Sequence, residues 1–139
     1  MLFTATITTA ASTTTQYTNL KCSMGIIHQV EIHFPSGCNG LLSCSLYLGG
    51  HQILPSTEGM EIIGNKETIV LLEHIELNAD QNTIRVQTTN ADDTYSHTIQ
   101  VRVSVLPQNV LVSNFSDLGD LIRSVLLKIF KSKEVPKNV

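Results

Sequence analysis

Apolar and polar side chains alternate along most of this chain, and the alternation predicts short β-strands. The longest run covers residues 95–105, where every second side chain is apolar or aromatic. Further strands are predicted at 3–9, 26–34, 41–48, 51–55, 67–77 (one strand or two) and 83–89. About seven strands joined by turns, with no helical crossover between them, predict an all-β antiparallel sandwich that is immunoglobulin-like or jelly-roll-like.

Two breaks in the alternation predict connections between strands. Residues 10–15, Ala-Ala-Ser-Thr-Thr-Thr, break the alternation, so we expect a loop or an adaptable arm there. Gly49-Gly50 predicts a hairpin turn.

Parity within a strand predicts which side chains form the core. Two strands have clear predicted core faces: Ile26, His28, Val30, Ile32 and Phe34 in the first, and Tyr95, His97, Ile99, Val101, Val103 and Val105 in the second.

The period changes after Pro107, where apolar residues recur at helical spacing and predict an amphipathic helix over about 114–131. Asn114 or Ser116 is the predicted N-cap, and Pro136 ends the helix. An exposed apolar stripe invites association, so either the protein's own sheet or a neighbouring subunit must cover it. We favour the neighbour because 107–113 resembles a flexible linker. The predicted partner-binding residues are Leu118, Leu121, Ile122, Val125, Leu126 and Ile129.

Three segments follow from these patterns: an N-terminal strand with a Thr-rich arm (1–20), a sandwich domain (21–107), and a linker with a C-terminal helix and basic tail (108–139). Ile, Val and Thr make up 39 of the 139 residues, which supports the β assignment. Residues 1–112 carry a net charge of -5 and residues 113–139 a net charge of +2. The overall charge of -3 argues against direct binding of nucleic acid.

Targeting and redox signals are sparse. The first residues lack the basic and apolar regions of a signal peptide, and no apolar run is long enough to predict a membrane span. Cys22, Cys38 and Cys44 are odd in number and form no C-x-x-C pair. We therefore expect buried free thiols in a reducing compartment, and we predict neither a metal site nor a cofactor.

Two polar patterns resemble sites and are given structural interpretations. Asn78-x-Asp80-x-Asn82 resembles the opening of a calcium loop, but Thr83 and Thr89 stand where such a loop needs Gly and Glu, so a turn is predicted. His28 and His97 lie on the apolar faces of two predicted strands and could meet in the core, and we expect their ring nitrogens to be bonded to backbone rather than to a metal. No catalytic motif is present, so we predict no enzymatic activity.

A ligand-binding role is the alternative. A carbohydrate- or host-surface-binding module would use the turn at 78–82 or at 90–93. Aromatic side chains usually serve such recognition. The chain has no Trp, and Tyr17, Tyr47 and Tyr95 are scattered in sequence. A small-molecule ligand is therefore not predicted.

Residues 25–41 read Gly-Ile-Ile-His-Gln-Val-Glu-Ile-His-Phe-Pro-Ser-Gly-Cys-Asn-Gly-Leu. This block, followed by His51–Pro55 and by Asn90–Thr98, resembles a family of small β proteins encoded among the structural genes of tailed phages and prophages. The resemblance covers about residues 22–105. Ile53 departs from it, since related chains tend to have an aromatic residue after His-Gln. We interpret the matching blocks as folding determinants.

The resemblance implies a virion component made in the host cytoplasm. We therefore predict a non-enzymatic structural protein, either a capsid accessory or decoration protein or a head–tail protein. It would bind other virion proteins and copies of itself through sheet edges, the N-terminal arm and the C-terminal helix.

Overall fold

The computed structural model describes residues 1–132, with the backbone alone for 109–116 and 132. Two compact units are present, Met1–Pro107 and a second that begins at Gln108. The elements are β1 (Leu2–Thr9), β2 (Thr13–Lys21), β3 (Gly25–Phe34), β4 (Leu42–Leu48), β5 (His51–Leu54), β6 (Ile62–Ile63), β7 (Glu67–Leu77), β8 (Thr83–Asn90), β9 (His97–Leu106) and the helix α1 (Gln108–Ser132).

The strands of the first unit form two antiparallel sheets. Sheet A has the order β1-β9-β3-β7, and sheet B has the order β2-β8-β4-β5, with β6 also paired to β4. Every described pairing is antiparallel. The protein is therefore an all-β antiparallel sandwich followed by one helix, as the sequence predicts.

The core lies between the two sheets and is built by alternate residues of each strand. Val101, Val103 and Val105 of β9 are fully buried, as are Ile84 and Val86 of β8. These positions confirm the predicted parity. Tyr95 is an exception, because it precedes β9 and is 67% exposed.

A β-bulge in β3 corrects its predicted core face. The register of β3 shifts between Ile27 and Gln29 against both β7 and β9. The extra residue reverses the parity, so Ile27 is fully buried while Ile26 and His28 are half-buried. From Val30 onward the predicted face is correct.

The N-terminal 20 residues belong to the sandwich, so the predicted arm is wrong. β1 pairs along its length with β9, and β2 pairs with β8. Only residues 10–12 turn between them, with Ser12 at a positive φ and its N–H donating to the carbonyl of Asp92 at 2.8 Å. Alternation fails to reveal β2 because almost all of its side chains are polar, and only Leu20 is buried.

The helix is longer than predicted, because α1 begins at Gln108 directly after Pro107. Residues 108–113 of the predicted linker are therefore helical, and Asn114 and Ser116 lie inside the helix rather than at its cap. Asn and Ser favour caps and turns, which is why the sequence suggests a later start. Pro136 and the basic tail lie outside the described residues.

Candidate functional site

The predicted partner-binding residues all lie on α1. Leu118, Leu121, Ile122, Val125, Leu126 and Ile129 are each about half exposed, from 46% for Ile129 to 61% for Leu121. We call these six residues the apolar stripe. Leu127 and Phe130 are also exposed apolar residues of α1, and they lie outside the predicted set. A single helix cannot bury such side chains by itself.

A second candidate site is a pocket of about 330 Å³ on the outer face of sheet B. It lies where the β4–β5 turn approaches the β7–β8 turn. A Cβ added to Gly49 would lie 2.8 Å from the Gln81 amide nitrogen, which shows how closely the two turns approach. The lining residues are Asn19, Tyr47, Gly49, Gly50, Asp80, Gln81, Thr83 and Arg85.

Strand register builds the floor of this pocket. Arg85 of β8 is opposite Asn19 of β2 on one side and opposite Tyr47 of β4 on the other. Residues directly opposite on neighbouring strands share a face, so these three side chains form a row across the sheet. The turn at 78–82, one of the two predicted ligand turns, contributes Asp80 and Gln81 to the rim.

Two opposite charges line the pocket. The Arg85 guanidinium lies over the Tyr17 ring, with its Cζ 5.4 Å from the ring centroid, which is a cation–π distance. Neither Arg85 nor Asp80 forms an ion pair with another residue that the structure describes. Both charged groups are therefore available to a bound molecule.

Gln52 contacts Tyr47, one of the residues that line the pocket. Its side-chain amide nitrogen donates to the carbonyls of Pro55, Thr57 and Met60 at 2.8, 3.1 and 3.0 Å. The Tyr47 hydroxyl donates to the Gln52 amide oxygen at 3.5 Å. Gln52 thus organises the loop that follows β5, which agrees with our interpretation of the His51–Pro55 block as a folding determinant.

The other predicted ligand turn, at 90–93, is committed to internal hydrogen bonds. The Asp92 carboxylate accepts from the N–H groups of Thr94 and Tyr95 and lies 2.8 Å from His97 Nε2. Asn90 donates to the carbonyls of Thr9 and Tyr95. These contacts tie the β8–β9 connection to β1 and leave little of Asp92 exposed, so we assign this turn a structural role.

This network makes Asp92 a source of acid sensitivity. Hydrogen bonds from Thr94 N–H, His97 and Tyr95 N–H hold the pKa of Asp92 below its ordinary value of 3.8. The ionised carboxylate therefore favours the folded state above that value, and its contribution is lost as the pH falls through the lower folded-state pKa. We expect Asp92→Ala to lower the urea midpoint at pH 7, with the difference from wild type narrowing as the pH falls below 3.8.

Asp93→Ala is the matched control, because Asp93 is exposed and bonds only the neighbouring Thr94 hydroxyl. Urea titrations of the three proteins at several pH values measure the effect. Equal midpoints for the two variants at pH 7 would contradict the role given to Asp92.

The three thiols are buried and free, as predicted. Burial raises the pKa of Cys22 to about 11 and that of Cys44 to about 12, with the nearby charge of Glu61 adding to the second. The Cys38 thiol donates to the carbonyls of Pro35 and Gly64 at 3.2 and 3.1 Å. Cys38 therefore fastens the turn after β3 to the chain before β7.

The ring nitrogens of His28 and His97 do not have the expected backbone partners. His97 bonds the Asp92 carboxylate rather than backbone, and His28 lies at the β3 bulge with its Nδ1 unpartnered among the described residues. Asn78 N–H donates to the Gln81 carbonyl at 3.2 Å, which makes 78–81 a turn. Within residues 1–132 no group of three or more His, Cys, Asp or Glu side chains could hold a metal ion.

No helix in the described part of the chain is long and apolar enough to cross a membrane. No protein-family model and no curated protein matches the chain.

Proposed function

We propose that the protein is a non-enzymatic structural component of a phage virion, a capsid accessory or decoration protein or a head–tail protein, that assembles through α1 and through sheet edges. The observation that carries the assembly role is the apolar stripe of α1. The resemblance of residues 25–41 to small β proteins of tailed phages supplies the virion context.

The spacing within the apolar stripe supports helix packing in an assembly. Leu118, Ile122, Val125 and Ile129 are separated by four, three and four residues. This spacing is typical of helices that pack side by side along a common seam. Lys128 and Lys131 follow toward the end of α1, where they can face the acidic body of a neighbouring subunit.

The edge of sheet A offers a second contact. β7 is an 11-residue strand at the end of the sheet, and its outward-facing Val70 and Leu72 are exposed, Leu72 at 78%. A long exposed edge is a template for pairing with another chain. The edge is therefore a proposed assembly surface together with α1. The N-terminal arm predicted from the sequence is not, because residues 1–20 belong to the sandwich.

Ile122→Asp tests the assembly role of α1. A charge buried in an apolar seam costs several kcal/mol, so we expect self-association or partner binding to weaken by about a hundredfold or more. Leu127→Asp is the matched control, because five residues along an α-helix turn the side chain by about 140° away from Ile122. Size exclusion with light scattering measures the oligomeric state, and co-purification with particles measures incorporation.

Equal assembly by both variants would overturn the role of the apolar stripe. The virion context has separate tests. We expect the protein in mass spectra of purified particles and its gene beside portal, terminase or capsid genes. Its absence from purified virions would refute the virion role while leaving self-association open to measurement.

A second candidate function is a carbohydrate- or host-surface-binding module. The pocket on sheet B favours it, because two tyrosines that are distant in sequence come to one face of the sheet beside Arg85. This candidate is compatible with a subunit exposed on the outside of a particle.

A further inference from the structure

The pocket on sheet B presents both kinds of hydrogen-bonding group to a ligand. The Asp80 carboxylate only accepts, the Arg85 guanidinium only donates, and the side-chain amides of Asn19 and Gln81 do both. A hydroxyl group donates and accepts, so several hydroxyls on one ring can satisfy this mixed lining. An apolar ligand would leave these groups without partners.

The charges of the lining favour a molecule without net charge. One acidic and one basic residue line the pocket, Asp80 and Arg85. A phosphate or other anion would be attracted by Arg85 but repelled by Asp80, and an ammonium group would meet the reverse. The Arg85 guanidinium covers one face of the Tyr17 ring, so on that side hydrogen bonds rather than stacking would hold a ligand.

Size and rigidity fit a small ligand. A volume of about 330 Å³ lies at the lower end of the range for small-molecule sites, about 300–1,000 Å³. Asn19, Tyr47 and Arg85 stand on three adjacent strands, so their backbone positions are fixed before binding. Preformed sites lose less conformational entropy on binding.

We propose that this pocket binds a neutral saccharide of one or two rings, with Asp80 accepting from ring hydroxyls and Arg85 donating to them. The proposal rests on the second candidate function and is independent of assembly through α1. This proposal differs from the prediction made from the sequence, in which no small-molecule ligand is expected.

The test is a microarray of immobilised bacterial polysaccharides and oligosaccharides, probed with the full chain in a buffer that contains EDTA. Binding that persists in EDTA does not require a divalent cation, as expected for a pocket with one carboxylate. The strongest signals are then titrated with the free oligosaccharide against ¹⁵N-labelled protein. We expect saturable shifts at the amides of the lining residues.

Asp80→Ala and Arg85→Ala should each weaken saccharide binding about tenfold or more, because each removes hydrogen bonds to a charged group. Asp93→Ala and Arg102→Ala are the matched controls. Asp93 lies in the β8–β9 turn, and Arg102 lies on sheet A, where it pairs with Glu31. Both controls should retain wild-type affinity, and circular dichroism verifies that all four variants fold.

Absence of any signal on the array, or equal binding by pocket and control variants, overturns the proposal. Changes in amide chemical shift that are confined to residues outside the pocket would also overturn the proposal. The pocket variants should still assemble, and Ile122→Asp should still bind saccharide. Failure of the pocket is therefore distinguishable from failure of the assembly role.

Discussion

A chain truncated after Pro107 is expected to fold as a stable β-sandwich that no longer assembles through α1. All of the described hydrophobic core comes from residues that precede Pro107, and none comes from α1. We therefore expect the free energy of unfolding to change by about 1 kcal/mol or less, which is small for a deletion outside the core. Assembly through α1 should be lost, because the apolar stripe is removed.

Urea unfolding of the truncated and full-length chains measures the first expectation, and light scattering with particle co-purification measures the second. Leu127→Asp in the full-length chain is the control that keeps the stripe. If the truncated chain unfolds or aggregates yet still binds its partner, α1 belongs to the core and the assembly surface lies on the sandwich.

Gly25→Ala should destabilise the sandwich by about 2–5 kcal/mol. Gly25 begins β3 with φ at +149°, a region that L-residues rarely adopt. A Cβ there would collide with the carbonyl oxygen of Leu106 and lie 2.8 Å from Val105 Cγ1. The backbone oxygen cannot move away without disturbing the pairing of β3 with β9.

Gly59→Ala separates the collision from the backbone strain. Gly59 also has a positive φ, +81°, but a Cβ there would meet nothing within 4 Å. This control should cost about 1–2 kcal/mol. Equal losses for the two variants in urea unfolding would show that the close approach of Gly25 to β9 has no energetic consequence.

The fold class is readable from the sequence because one face of most strands is apolar. Val101, Val103 and Val105 alternate with polar residues, and the structure buries all three. β2 is not readable, because it lies at the edge of sheet B with polar side chains on both faces. The bulge at His28 is equally hidden, because an extra residue in a strand depends on its two neighbours and not on its own pattern.

The pocket is a product of strand pairing. Parity alone could have placed Arg85 and Tyr47 on outward faces. It could not have shown that β8 lies between β2 and β4, which are separated in sequence by β3. The apolar stripe of α1, in contrast, is predictable from the sequence, because residues that are neighbours on one face of a helix are only three or four positions apart.

The pairing of β1 with β9 has a kinetic consequence. Leu2 lies opposite Ser104, so β1 completes its hydrogen bonds with β9 only after about a hundred further residues have been made. Such long-range closures slow folding, typically to milliseconds or seconds for all-β domains. On one side of β1 the side chains are those of Thr4, Thr6 and Thr8, whose hydroxyls favour water over association with other nascent chains during that interval.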